Sequence, residues 1–188
     1  MDTRAEILAQ ALRLFTARGY DAVGVQEIVE GAGVTKPTLY HYFGSKRGLL
    51  AALLGGYFAQ FNRLIQMAAA YQGDLPLTLQ RIAAAYFEFA RANPAFYRFH
   101  LALWFAPPES EGFEVVVGFL QEQNALIEQV FRLAARDHGN MRGRQQAYAA
   151  TFSGMLNTYI GLALNGYTRL DDALLRQAVH QFQHGIYS

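Results

Sequence analysis

The chain contains no cysteine among its 188 residues, and this absence excludes several kinds of chemistry. Disulfides, thiolate nucleophiles, iron–sulfur clusters and cysteine-based zinc fingers all require that side chain. Charged residues are also scarce, at 16%, whereas hydrophobic residues make up 52%. A chain this apolar is not intrinsically disordered, because it can bury enough surface to offset the conformational entropy that folding costs.

Long hydrophobic runs are absent as well. The longest, such as 49–59 and 101–106, fall short of the ~20 residues that a membrane-spanning helix needs. Asp2, Arg4 and Glu6 near the N-terminus do not form the basic and then apolar pattern of a secretion signal. We therefore expect a cytoplasmic protein.

Signatures of catalysis are missing too. The sequence has no G-x-S-x-G, no G-x-x-x-x-G-K-[ST] and no G-x-G-x-x-G motif. His180 and His184 have a spacing that can place two imidazoles on one metal ion, but no further ligand pattern accompanies them. We expect no enzyme activity, no metal site and no cofactor.

Apolar residues recur with helical spacing along almost the whole chain. Thr3 and Glu6 are typical of a capping box, and the i, i+3, i+4, i+7 pattern from Leu8 to Phe15 follows them. The only run that favours a strand, 115–117, lies between helical stripes. The sequence therefore predicts an all-α fold of about nine helices.

The most informative segment is Gly24–Phe43, with the sequence GVQEIVEGAGVTKPTLYHYF. Two short helical patterns meet around Gly33, which suits a left-handed turn. Thr35 would cap the second helix, and Pro37 would stand in its first turn, where a missing N–H costs nothing. This predicts a helix-turn-helix, although a plain helical hairpin shows the same two-helix pattern.

Polar residues of the second helix would point away from the small core and towards a DNA major groove. They are Lys36, Thr38, His41 and Tyr42. Just beyond, Ser45 and Lys46 stand at the start of a long helix, where backbone amides and the helix dipole favour an anion such as phosphate.

From Arg4 to Leu54, the stretches ILAQALRLFTARGY and EIVEGAGVTKPTLYHYFGSKRGLLAALL resemble the DNA-binding head of the tetracycline-repressor (TetR/AcrR-type) family. The resemblance implies a helix-turn-helix DNA-binding domain at 1–48 and a helical ligand-binding and dimerisation domain at 49–188. It also implies which side chains meet DNA. Those near base edges are Lys36, Pro37 and Tyr40, and those on phosphates are Thr38, His41, Tyr42 and Lys46.

Two features of the head differ from that pattern or limit its affinity for DNA. Where the family usually carries a hydroxyl residue before the second helix, this chain has Val23 and Gly24. Residues 1–48 hold six Lys or Arg against five Asp or Glu. We expect modest non-specific DNA binding, with a salt dependence no steeper than a slope of about −6.

Two stripes in the last helices favour a dimer. The eighth helix carries mostly small residues on one stripe: Ala150, Gly154, Thr158, Gly161 and Asn165. The ninth carries Leu175, Val179, Phe182 and Ile186. Interior glycines cost up to about 1 kcal/mol each relative to alanine, which close approach of another helix would offset. We predict a four-helix interface across a two-fold axis, where the family also dimerises, or else packing of both stripes inside one subunit.

The resemblance further implies an inducer cavity in the aromatic-rich helices, apolar with a few polar groups. The candidate lining residues are Phe61, Phe87, Phe99, His100, Leu103, Trp104, Phe119, Gln123 and Tyr159. They imply a flat or apolar ligand and not a sugar phosphate.

Together these features predict a sequence-specific DNA-binding transcriptional regulator. The favoured form is a repressor that a small apolar or aromatic ligand releases from a palindromic operator. One alternative is a DNA-binding protein without a ligand. The other is a helical ligand-binding protein, or an enzyme, whose head has lost DNA recognition.

Overall fold

The computed structural model describes residues 2–185, with Asn140 described by its backbone alone. Within that range the chain forms nine α-helices and one 3-10 turn and has no strand, which confirms the all-α prediction. The helices are α1 (Thr3–Arg18), α2 (Val25–Gly31), α3 (Lys36–Phe43), α4 (Lys46–Ala68), α5 (Leu75–Ala92), α6 (Pro94–Trp104), α7 (Glu111–Asp137), α8 (Gln145–Leu164) and α9 (Asp172–His184). The 3-10 turn, Gly139–Met141, precedes α8.

Helix caps largely follow the sequence prediction. The Thr35 hydroxyl accepts a hydrogen bond from the Thr38 N–H, and the Ser45 hydroxyl accepts one from the Gly48 N–H at 2.9 Å. Asp171 caps α9 in the same way. These side chains satisfy N–H groups that the first helical turn leaves without a backbone partner.

The capping box expected at Thr3 and Glu6 is wrong. Asp2 is the N-cap of α1, and its carboxylate accepts a hydrogen bond from the Arg4 N–H at 3.0 Å. A carboxylate one residue earlier both caps the helix and interacts favourably with its dipole, so the helix begins at Thr3.

The valine run 115–117 is helical, as expected, and lies inside α7. Val116 is fully buried. Valine prefers strands only where its neighbours form a pleated surface, and here the helical stripe on both sides of the run decides the conformation.

The chain divides into two compact units. The first comprises Met1–Ala59 and Pro94–Leu120, and the second comprises Gln60–Asn93 and Gln121–Ser188. Both long helices, α4 and α7, contribute residues to each unit. The functional boundary expected after residue 48 concerns DNA and ligand binding and stays a prediction.

In the first unit α1 packs against α2 and α6, and stacked aromatic rings hold the helices together. The ring of Phe15 stacks on Phe99 with centroids 5.6 Å apart. The rings of Phe58 and Phe119 are nearly parallel at 5.3 Å. Such pairs add to the free energy already gained from burying their area.

In the second unit α5 packs against α8 and α9. Phe61 stacks on Phe89 with ring centroids 4.1 Å apart. Phe182 brings α9 against Phe152 of α8, at 5.1 Å between centroids. No helix of residues 2–185 is long and apolar enough to cross a membrane.

Candidate DNA-binding and ligand-binding sites

The second helix of the helix-turn-helix, α3, is anchored on one face and exposed on the other. Leu39 is fully buried, as is Ile28 of α2, so these two residues hold α3 on the head. Gly33 between the helices has φ +66°, the left-handed turn that the sequence predicts.

The opposite face of α3 carries most of the residues that the sequence assigns to DNA. The side chains that it exposes are Lys36, Pro37, Tyr40, His41 and Tyr42. Tyr40 and Tyr42 are 45% and 43% exposed, although rings of this size are usually more deeply buried. A cation, an imidazole and two phenols on one short helix can donate hydrogen bonds to base edges and to phosphates.

The end of α3 and the start of α4 approach closely at Gly48. A Cβ atom on Gly48 would lie 2.0 Å from the carbonyl oxygen of Phe43, a distance that no side chain tolerates. Glycine is therefore required at this position. It fixes where α4 begins relative to the exposed face of α3.

Thr38 and Lys46 are less available than the sequence indicates. The hydroxyl of Thr38 lies 2.9 Å from that of Thr35, and its side chain is half-buried. The Nζ atom of Lys46 lies 4.1 Å from the ring centroid of Tyr20. Burial lowers the pKa of Lys46, while Asp21 and Glu111 oppose that shift. Their roles as phosphate contacts remain predictions.

The missing hydroxyl at the start of α2 has a local replacement. Gly24 is the N-cap, and its N–H donates to the carboxylate of Glu27 at 3.0 Å. That hydrogen bond, and after it one from Arg18, lowers the pKa of Glu27. The helix start is thus satisfied by a side chain from its own first turn, but no hydroxyl is presented there.

Acidic residues at the start of α7 hold the cation that follows Lys46. Arg47 donates to Glu114 at 2.7 Å and lies 4.0 Å from Glu111. The hydroxyl of the buried Tyr20 also donates to Glu111. Burial, and then this hydrogen bond, raises the pKa of Tyr20. Arg47 is therefore paired with the acids of α7.

The sequence analysis did not identify one cation that lies near α3. The guanidinium of Arg4 lies 5.5 Å from the ring centroid of Phe43, at the end of α3. Arg4 is exposed and is therefore a candidate phosphate contact. No local pattern could reveal it, because 39 positions separate the two residues.

The residues predicted to line a ligand cavity are divided between the two units. Phe99, His100, Leu103, Trp104 and Phe119 belong to the first unit, and Phe61, Phe87, Gln123 and Tyr159 belong to the second. Most are fully or nearly fully buried, but Trp104 is 42% exposed. Their ligand-binding role stays a prediction.

The second unit contains a cavity of about 1080 Å³. It lies among the start of α5, the end of α7, the 3-10 turn, α8 and α9, and Tyr159 is the only predicted ligand residue that lines it. The lining consists of Leu75, Pro76, Leu79, Phe131, His138, Met141, Tyr148, Thr151, Met155, Thr158, Tyr159, Gln181, Phe182, Gln183 and His184. This volume is slightly larger than the roughly 300–1,000 Å³ of most ligand sites, and a mostly apolar lining surface is typical of them.

The two stripes predicted to form a dimer differ in exposure. On α8, Ala150, Gly154, Thr158 and Asn165 are exposed and Gly161 is half-buried. On α9, Val179 is buried, and Leu175 and Phe182 are half-buried. Ile186 lies outside the described residues. The exposed part of the predicted interface is therefore on α8, because α9 turns its apolar side chains towards its own unit.

His180 and His184 lie close together at the end of α9, with ring centroids 4.5 Å apart. Among the residues that the structure describes, no third His, Asp or Glu completes a group that could hold a metal ion. The spacing alone carries no metal site.

Residues 7–53 match the model of the family described as bacterial regulatory proteins, tetR family. The chain is 30% identical over 138 residues to the transcriptional activator FasR of Mycolicibacterium smegmatis, a match covering 73% of this chain and 61% of that protein. The chain therefore spans about three fifths of that relative's length.

Solved structures share the fold over nearly the whole chain. PfmR of Thermus thermophilus superposes with a TM-score of 0.74 and 23% identity, covering 97% of this chain and 99% of that one. FadR of Bacillus subtilis, solved in complex with stearoyl-CoA, gives 0.81 and 16%, with coverage of 97% and 99%.

Proposed function

Because the chain belongs to the tetR family of bacterial regulatory proteins, we propose that it is a sequence-specific DNA-binding transcriptional regulator. In its proposed form a homodimer represses transcription from a palindromic operator and leaves it when an apolar ligand binds. The proposal of DNA binding rests on the exposed face of α3, which presents Lys36, Tyr40 and Tyr42. Buried residues on the opposite face hold this helix on the head.

We expect the helix-turn-helix head to bind DNA as part of a dimer. A single short helix reads few base pairs, whereas two heads read two half-sites about 34–36 Å apart, or multiples of that distance. The small exposed residues of α8 supply a surface on which a second copy can approach closely. Membership of the family also places the chain among regulatory proteins and not among enzymes.

Ligand control is proposed as a population shift. The ligand lowers DNA affinity only to the extent that it binds the DNA-incompetent conformation more tightly. The cavity of the second unit supports such a ligand. The stearoyl-CoA complex of the Bacillus subtilis regulator supports only an apolar acyl part, because its CoA part carries phosphates. The ligand of this chain is accordingly expected to be apolar.

The first test is selection of bound duplexes from a random library of about 30 base pairs, long enough for two half-sites. We expect an enriched inverted repeat. Lys36→Ala and Tyr42→Ala should each remove sequence-specific binding. Arg81→Ala is the matched control, since it removes one exposed cation of α5 and should bind as the wild type does.

Absence of enrichment at low salt would contradict the proposal. Transcription in vitro from the selected operator then separates repression from activation, a distinction that matters because the Mycolicibacterium smegmatis relative is an activator. We expect transcription to fall when the protein is added. A rise would overturn the assignment as a repressor.

A further inference from the structure

Among the residues that the structure describes, the lining of the second unit's cavity has no carboxylate, ammonium or guanidinium group. Most of the lining surface is apolar, and seven of the fifteen lining residues are apolar, among them Leu79, Phe131 and Phe182. The polar contributions are threonine and tyrosine hydroxyls, glutamine amides and two histidines. This composition restricts the charge of what can bind there.

An ionised group buried against this lining would have no carboxylate, ammonium or guanidinium partner. Taking an ion out of water without a partner is far more costly than burying a neutral polar group. The acid adjoining the lining residue His138 is Asp137, which is already the hydrogen-bond acceptor of the Tyr71 hydroxyl at 2.7 Å. The described lining thus offers an ionised group no partner other than the imidazoles of His138 and His184, and it favours an uncharged ligand.

The shape of the cavity follows α8. Tyr148, Thr151, Met155 and Thr158 line it at intervals of three or four residues, so they form one stripe. At 1.5 Å per residue, the stripe extends about 15 Å along the helix. The ligand is therefore elongated, and the flexible side chain of Met155 can adapt to its surface.

At the Thr158 end of this stripe, two hydroxyl groups are held by hydrogen bonds. The Thr158 hydroxyl donates to the Gly154 carbonyl at 2.9 Å, and the Tyr159 hydroxyl donates to the Gln181 side-chain oxygen at 3.3 Å. Both hydroxyls still have lone pairs that can accept, and the Gln181 amide can donate. A hydroxyl group on the ligand matches this set because it both donates and accepts.

We propose that the cavity binds an elongated, uncharged apolar molecule whose hydroxyl group hydrogen-bonds near Thr158 and Tyr159. The inference rests on the proposed function in treating this molecule as the effector. Thr158 and Phe182 also belong to the stripes predicted for the dimer, so the cavity borders that predicted interface. Its concave and mostly apolar lining, formed by five chain segments, is typical of a small-molecule site.

The test uses the full-length protein and two probes with the same chain, 1-dodecanol and dodecanoate. Calorimetry at pH 8 compares them, because the carboxylate is then ionised. We expect 1-dodecanol to bind at least about tenfold more tightly. Equal or tighter binding of dodecanoate would overturn the proposal.

Substitutions locate the site. Met155→Trp fills the cavity and should weaken 1-dodecanol binding at least about tenfold, whereas Met67→Trp, at a 63% exposed position of α4, should leave it unchanged. If circular dichroism shows that Met155→Trp does not fold, Thr151→Trp makes the same test from an exposed lining position. Unchanged affinity in the folded variant would exclude this cavity.

The hydroxyl contact has its own matched pair. Tyr159→Phe removes one hydroxyl and should weaken 1-dodecanol binding about fivefold, whereas Tyr167→Phe, at a 79% exposed position outside the lining, should not. Equal effects would contradict the placement of the hydroxyl group. If cavity substitutions change only the sedimentation mass and not alcohol binding, the surface is an interface between copies and the proposal fails.

The outcome for the ligand is separable from that for the proposed function. Alcohol binding without any enriched operator would support the ligand class and contradict the regulator. An enriched operator, with no alcohol binding at saturating 1-dodecanol, would do the reverse. Alcohol binding that leaves operator affinity unchanged would overturn the role of the molecule as effector.

Discussion

In the first compact unit aromatic rings stack on one another between the helices, whereas in the second they also surround a cavity. Phe15, Phe58 and Phe99 of the first unit are almost fully buried and contact other rings. In the second unit Phe131 and Phe182 have the same kinds of contact but also line about 1080 Å³ of space. Aromatic helices thus serve both as a packed core in the first unit and as the wall of a cavity in the second.

Replacing a phenylalanine by alanine should reveal the largest difference between the two units, seen as a loss in the free energy of unfolding. Phe99→Ala should lower the free energy of unfolding by about 3–5 kcal/mol, because it opens space in a packed interior. Phe182→Ala, which is half-buried beside existing space, should cost about 1–2 kcal/mol. Chemical denaturation measures both. Equal losses would contradict the difference in packing.

A buried histidine provides a pH test of the first unit. Burial lowers the pKa of His100 to about 3, whereas an unfolded chain protonates the same imidazole near 6.5. Since the unfolded state binds the proton first, this group removes stability as pH falls from about 6.5 to 3, by up to about 1.4 kcal/mol per pH unit.

The measurement is the difference in unfolding free energy between pH 7 and pH 5, compared between the wild type and His100→Phe. The loss should be smaller in the variant by about 2 kcal/mol. His180→Phe, at an exposed position of α9, is the control. An identical pH dependence in wild type and His100→Phe would show that His100 is not kept neutral by burial.

A substitution at Gly154 tests whether the exposed face of α8 forms the predicted dimer interface. A Cβ at Gly154 would meet nothing within 4 Å in the protomer, so a larger side chain is tolerated there unless a second copy approaches. Gly154→Leu should raise the dimer dissociation constant at least about tenfold. Gly56→Leu on α4 also enters open space and is the matched control for sedimentation. A stable Gly154→Leu dimer would move the interface away from this stripe.

The smallest expected effect is the change in operator affinity when two acids of the first unit are replaced. Replacing Glu111 and Glu114 by glutamine frees Arg47 and removes two negative charges beside the head. Operator affinity at low salt should rise, by less than about tenfold because these are exposed pairs. Fluorescence anisotropy measures it, with Glu128→Gln of α7, paired with Arg132, as the control. An unchanged affinity would mean that Arg47 has no part in binding DNA.

Local chemistry predicted most helix ends, because a cap involves residues only three positions apart. Thr35, Ser45 and Asp171 act as the sequence indicates. The error at Thr3 arose because two adjacent residues can both cap a helix, and the carboxylate of Asp2 does so. The 3-10 turn at Gly139–Met141 was missed because three residues carry no periodic pattern.

The sites were predicted unequally for the same reason. The exposed residues of α3 recur with the helical period, so they could be predicted from the sequence. The ligand residues could not, since burial alone does not distinguish a packed ring such as Phe61 from one that borders a cavity. Only Tyr159 of the predicted set lines the observed space.

The sequence by itself determined the helices, the helix-turn-helix and the absence of thiol chemistry, because these depend on residue type and on spacings within a few turns. The tertiary structure decided which cations form ion pairs, as Arg47 does with acids 64 and 67 positions away. It also decided where the cavity lies. Both depend on which distant segments pack together, and that packing follows from the burial of all the apolar faces at once.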